Sequence, residues 1–203
     1  MINLFNEKPI SELFQINDQD LVRDLNRYVD IESADSVRFT DTMTNKYLLN
    51  VPSIKLNDTN VKPEMEGRLG NSFNPAYFTD PNKIYQIAVV TYSIPYIGDG
   101  EFFCIQPSQF TFKSYEAWIE NNLLCFKIYT EYANIDLSDK VKGEVLNQAK
   151  SITDWINLNL QQLKIDCDNY NNSLKIRIKS EIEKRIADKN KLKGLSDDLN
   201  PFK

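Results

Sequence analysis

The chain has no histidine, and that absence removes most common active-site chemistries. A serine or cysteine nucleophile paired with an imidazole base, an HExxH zinc site and a facial-triad iron site all need the missing side chain. The three cysteines, Cys104, Cys125 and Cys167, are widely spaced and form no CxxC pair. That argues against a disulfide framework and against a cysteine zinc site, and fits a reducing compartment. No GxxxxGKS/T run occurs, and Gly67-Arg68-Leu69-Gly70 lacks the third glycine and the strand-to-helix setting of a dinucleotide loop. Carboxylates remain. A metal-dependent nuclease wants an acid spaced from a lysine on a strand, whereas Glu183 and Lys184 are adjacent. Paired-carboxylate glycoside chemistry needs only two acids facing a cleft, so a histidine-free, carboxylate-based enzyme stays as an alternative. The expectation is a protein that is not an enzyme, with no catalytic residues, no metal site and no cofactor.

Two segments carry polar groups suited to recognition. Toward the C-terminus, Lys175, Arg177, Lys179 and Arg185 are candidates for phosphate contact, which gives the second reading of a nucleic-acid-binding subunit. The competing reading is a solvated helix face with internal pairs such as Glu181 to Arg185, and no aromatic residues are interleaved there to stack bases. The other segment runs Tyr92 to Glu101, where Tyr92, Tyr96 and Asp99 are expected to lie together near the surface as a partner or ligand site. Pro95 is expected to interrupt a strand, and Gly98 and Gly100 to form a turn that presents Asp99. Buried tyrosines closing a sheet edge are the alternative.

The elements that must position these groups follow from composition and spacing. With 203 residues and 41% apolar content, one good-sized domain with an appendage can bury a sizeable core. The net charge is −5 and the pI about 4.9, so the whole molecule is not drawn to nucleic acid or to an anionic membrane. No run reaches the length of a membrane span and no signal peptide is visible, so the expected setting is soluble, intracellular and cytoplasmic, with no membrane partner. The asparagine, lysine and isoleucine bias fits an AT-rich genome.

Leu21, Val22, Leu25, Tyr28 and Val29 predict a helix from about Asp18 to Ile31, capped by Asn17. From Val37 to Phe126, prolines, glycines and aromatic residues predict strands. Tyr47 to Leu56 reads as an edge strand because of Pro52, Ile84 to Ile94 as the central strand, Glu101 to Gln106 as a short strand and Leu123 to Tyr132 as another. Ser114 to Glu120, with Trp118, reads as a helical turn. From Ser138 to Lys193 the apolar positions recur at threes and fours, with a mean step of about 3.75 residues, too long for a regular leucine zipper. This is one long helix or a helical hairpin, with the asparagine-rich stretch Asp166 to Ser173 as its weak point.

The fold class is therefore α+β: a short N-terminal helix, a strand-rich antiparallel or mixed sheet domain, then the long helix. The expected division is 1–36, 37–136 and 137–203. A continuous helix would outrun the preceding domain, so Trp155, Ile156, Leu160, Leu163, Tyr170 and Leu174 are expected to form an exposed stripe for oligomerisation or a helix-mediated protein complex.

Tyr92-Ser93-Ile94-Pro95-Tyr96-Ile97-Gly98-Asp99, then Phe102 and Pro107, a strand near Leu124, and a helix with Asn172, Leu174 and Arg185 resemble the N-terminal region of multidomain prokaryotic proteins of antiphage defence. In that group a C-terminal effector domain of TIR or nuclease type follows the helix. The similarity covers about Arg38 to Leu195. It implies a sensing, scaffolding or oligomerising module without the effector's chemistry, because Lys203 stands where the effector domain would begin. It carries over no catalytic residues.

Overall fold

A computed structural model describes residues 1–27, 36–73, 79–110, 113–133 and 135–199. Its elements run β1 (Ile2–Asn3), β2 (Lys8–Pro9), α1 (Ile10–Arg27), α2 (Ser36–Tyr47), β3 (Ser53–Ile54), β4 (Asn60–Leu69), β5 (Ile84–Ile97), β6 (Ile105–Gln106), β7 (Glu116–Glu120), β8 (Leu123–Tyr129) and α3 (Asp139–Asp198). The class is α+β, with an antiparallel sheet and a long C-terminal helix. Two compact units divide the chain, one made of Met1–Lys8 and Val51–Leu163, the other of Pro9–Asn50 and Lys164–Lys203. The long helix α3 contributes to both units. No described helix is long and apolar enough to cross a membrane.

The first unit is built on β5, which pairs with β8 on one side and with β4 and β3 on the other, all antiparallel. The order continues from β8 through β7 to β1. Tyr96 N–H donates to Asn122 O and Thr130 N–H to Ala88 O, so the even-numbered residues of β5 bond to β8 and the odd-numbered ones point toward β4 and β3. Pro95 is odd-numbered. Its missing N–H falls where β4 has ended, and its carbonyl accepts from Lys55 N–H at 2.8 Å, so the strand runs on to Ile97 instead of breaking at the proline. By the same alternation the even-numbered residues of β4 bond to β5, and Pro63 turns its donor-less nitrogen to the outer edge, where it blunts the edge against stray pairing.

β7 replaces the helical turn expected at Ser114 to Glu120. Asn121 and Asn122 have φ of 51° and 60°, the left-handed pair that a two-residue type I′ hairpin requires, and this joins β7 to β8. The strand expected from Glu101 is instead a 3-10 turn, Gly100–Cys104, followed by the two residues of β6. Of the expected strand Tyr47 to Leu56, only Ser53–Ile54 is extended.

Within this unit α3 buries Val141, Val145, Ala149, Ile152, Trp155, Ile156, Leu160 and Leu163. Trp155 meets Phe5 at 5.4 Å and Tyr115 at 5.1 Å between ring centroids, both edge-on, the geometry aromatic quadrupoles favour. Ser138 Oγ accepts from Val141 N–H at the start of the helix.

The second unit packs α1 and α2 against the later turns of α3. Leu21, Leu25, Met43, Tyr47, Tyr170, Leu174, Ile178 and Ile182 form its core. The helix expected at Asp18 begins earlier, at Ile10, behind Pro9 and with Glu12 in its first turn; its expected end, residues 28–31, lies outside the described residues. Asn17 is therefore interior rather than a cap. Residues 37–47, read as the start of the strand-rich region, belong to the helix α2. Thr42 and Thr44 donate from their hydroxyls to the carbonyls of Arg38 and Thr40, the back-bonding that lets threonine sit in a helix, while Thr40, Met43 and Tyr47 are buried at helical spacing.

The asparagine-rich stretch of α3 is no break, and Asn171 within it bonds across to the end of α2. Asn171 accepts from Leu49 N–H at 3.0 Å and donates to Leu49 O at 2.9 Å, and Asn17 donates to Tyr47 O at 2.8 Å. These bonds satisfy the backbone where α2 ends and leaves its last groups without helical partners.

Burial also sets the response to alkali. The thiols of Cys104 and Cys167 are pushed up to about 11 and about 12, chiefly by burial, and the phenols of Tyr92, Tyr96 and Tyr170 are raised by burial first. The unfolded chain ionises these groups at ordinary values near 9.0 and 10.0, while the folded chain holds them neutral. Stability is therefore intact below about pH 9 and falls as pH rises toward the folded-state values. At pH 10.5 the Cys167 thiol alone costs about 2 kcal/mol. Calorimetry at pH 7 and pH 10.5 is expected to show a clear drop in Tm at the higher pH, and an unchanged Tm would overturn this reading.

A candidate partner-binding cleft

The segment expected to form a surface site is mostly interior. Tyr92 and Tyr96 share a face of β5 and are each 8% exposed. Tyr92 stacks on Phe126 at 5.3 Å, and Tyr96 meets the edge of Phe103 at 5.0 Å. Asp99 is exposed, but its carboxylate accepts from Glu101 N–H at 2.9 Å and caps the 3-10 turn. Gly98, at φ +114°, supplies the turn before it. The two tyrosines thus belong to the core, and Asp99 alone of the trio reaches solvent.

The expected oligomerisation stripe is covered by the chain itself. Trp155, Ile156, Leu160 and Leu163 are buried in the first unit, and Tyr170 and Leu174 in the second; none is more than 8% exposed. What the sequence suggested was unoccupied apolar surface is core.

The candidates for phosphate contact each have an acidic neighbour. Lys175 pairs with Asp41 at 2.6 Å, Lys179 with Glu183 at 3.8 Å and Arg185 with Glu181 at 2.9 Å. Arg177 grips both carboxylate oxygens of Asp18, at 2.6 and 2.8 Å, with its guanidinium carbon 4.5 Å from the centre of the Tyr170 ring. Its Nε and Nη2 are buried without a hydrogen-bond acceptor, and that ring face is the partner left to them. Tyr170 in turn donates to the same Asp18 carboxylate at 2.5 Å. Lys175 and Arg177 thus tie α3 to α2 and α1, while Lys179 and Arg185 pair with acids one turn away on α3 itself. Among the described residues no group of three or more Cys, Asp and Glu side chains could hold a metal ion.

Sequence reasoning missed a cleft in the first unit. The β7–β8 ladder runs from the hairpin turn only as far as Trp118 opposite Cys125. Beyond that point β7 pairs along its other edge alone: Ala117 and Glu116 pair with Ile2 and Asn3 of β1, Leu4 N–H donates to Tyr115 O at 3.0 Å, and the Tyr115 ring meets Trp155. The two strands separate and leave a cavity of about 560 Å³. Ser114, Tyr115, Glu116, Ala117 and Trp118 form one lip; Phe126, Lys127 and Tyr129 form the other; Gln148 and Ile152 of α3 complete the lining with Glu66 and Met1.

The alternation that directs the even-numbered residues of β8 to β5 turns the N–H and C=O groups of Lys127 and Tyr129 toward this opening. Lys127 is bound by Glu66 and lies 3.9 Å from Glu64, and the Glu66 bond raises its pKa, so it stays charged. Glu116 is exposed and makes no ion pair among the described residues. Aromatic rings, an open strand edge, the Gln148 amide and a carboxylate without a counter-ion make a surface able to bind and orient a ligand. One signal of this cleft was present in the sequence: Tyr115 and Trp118 beside Glu116, within a segment read as a helical turn.

No protein-family model matches the chain, and no curated protein or solved structure matches it.

Proposed function

We propose that this chain is a non-catalytic binding and assembly module that holds a partner protein at the cleft between β7 and β8. The observation that carries this reading is the separation of two strands that their hairpin turn would otherwise keep paired, which opens a lined cavity instead of a closed sheet. The resemblance to N-terminal regions of prokaryotic antiphage-defence proteins supports the same class of role, sensing or scaffolding, in an intracellular setting.

A photo-crosslinking amino acid placed at Glu116 or at Asp99, in the chain expressed in a prokaryotic host with its native neighbours, separates the cleft from the turn after β5. The expected result is a defined cross-linked protein from position 116 and none from position 99. Cross-linking from position 99 alone would return the site to the Tyr92–Asp99 segment, and none from either would remove the cleft as a binding surface.

A further inference from the structure

We infer that the cleft takes a short extended peptide segment, which adds as a strand to the open edge of β8 in the place β7 vacates, with a lysine or arginine of that segment facing Glu116. The inference rests on the proposed binding role and names the chemistry of its partner.

The occupant is fixed first by the backbone. Lys127 and Tyr129 direct donor and acceptor groups into the opening at the two-residue repeat of a strand, and β7 does not pair with them. Backbone groups at that repeat are matched by another extended backbone, which supplies acceptors and donors at the same spacing. The open stretch Phe126 to Tyr129 matches about four residues of added strand, roughly 13 Å long.

The side chains add a preference. On one lip Lys127 is already neutralised by Glu66, with Glu64 nearby, so it has little attraction left for an acidic peptide. On the other lip Glu116 is exposed and unneutralised, which favours a cation beside it. Trp118 and Tyr115, both half-buried, offer flat apolar surface to the stem of that cation or to an apolar neighbour. The segment that fits is therefore extended, carries a basic residue and is flanked by apolar ones.

The test pans a phage-displayed library of random peptides, each of about eight residues, against the whole chain. Enriched peptides are then synthesised, and their footprint is read from amide NMR shifts. Peptides rich in lysine or arginine that shift the amides of Lys127 and Tyr129 are expected. N-methylation of the peptide backbone at alternate positions is expected to weaken binding about tenfold for each hydrogen bond lost, while methylation at the intervening positions leaves it within about twofold. Glu116→Lys, an exposed change that should preserve the Tm, is expected to weaken the same peptides by about tenfold or more. Peptides that shift cleft amides yet tolerate N-methylation everywhere would overturn the strand geometry and leave the binding role standing. No enrichment, or a footprint elsewhere on the chain, would overturn both.

Discussion

Tyr96→Ala is expected to lower the free energy of unfolding by about 3–5 kcal/mol, the range for truncating a large buried aromatic. The ring is 8% exposed and edge-on to Phe103 at 5.0 Å, and its N–H donates to Asn122 O across the central ladder. Its hydroxyl lies where a side chain on Gly100 would sit, with a Cβ there placed 2.4 Å from it. The cavity left by alanine cannot fill without moving β5. Tyr96→Phe keeps the packing and should cost about 1 kcal/mol or less. Asp99→Ala loses one capping bond and should cost about 1 kcal/mol. Urea unfolding of the three variants distinguishes a core tyrosine from a recognition residue. If Tyr96→Ala left the unfolding midpoint unchanged, the ring would have no packing role.

Much of the architecture was legible because periodicity survives tertiary context. The central strand, the following strand with Leu124, Phe126 and Ile128 inward, and the long helix all appear where their apolar spacing put them. Propensity misled where side chains had other work. Thr42 and Thr44 look like strand residues until their hydroxyls are seen bonding within α2, and Asn171 looks like a helix breaker until it is seen satisfying Leu49. Pro95 looked like an interruption because sequence does not reveal which neighbour its nitrogen faces.

The site was less legible than the fold, and for a physical reason. The cleft lies where the β7–β8 ladder stops at Trp118 while β7 goes on pairing along its other edge with Ile2 and Asn3 of β1, residues more than a hundred positions away. Local pattern cannot show it. The residues that stood out locally, Tyr92 and Tyr96, did so because large aromatics gather where a core is dense. Basic residues toward the C-terminus stood out by count, whereas Asp41 and Asp18, the partners of Lys175 and Arg177, lie on α2 and α1.

Truncating the stripe of α3 separates core from interface. Ile156→Ala and Leu174→Ala are each expected to cost about 2–5 kcal/mol, since both side chains are fully buried and lose transfer free energy as well as contacts. An exposed stripe meeting a second copy would behave differently: truncation would lower the molar mass in solution and leave the isolated chain's stability little changed. The two variants probe different surroundings, because Ile156 lies among the sheet-bearing residues and Leu174 among those of α1 and α2. The expected result is a large fall in unfolding free energy for each, with light scattering giving the molar mass of the unmodified chain under native conditions. Unchanged stability together with a halved mass would show that the stripe joins copies of the chain and would reverse its assignment to the core.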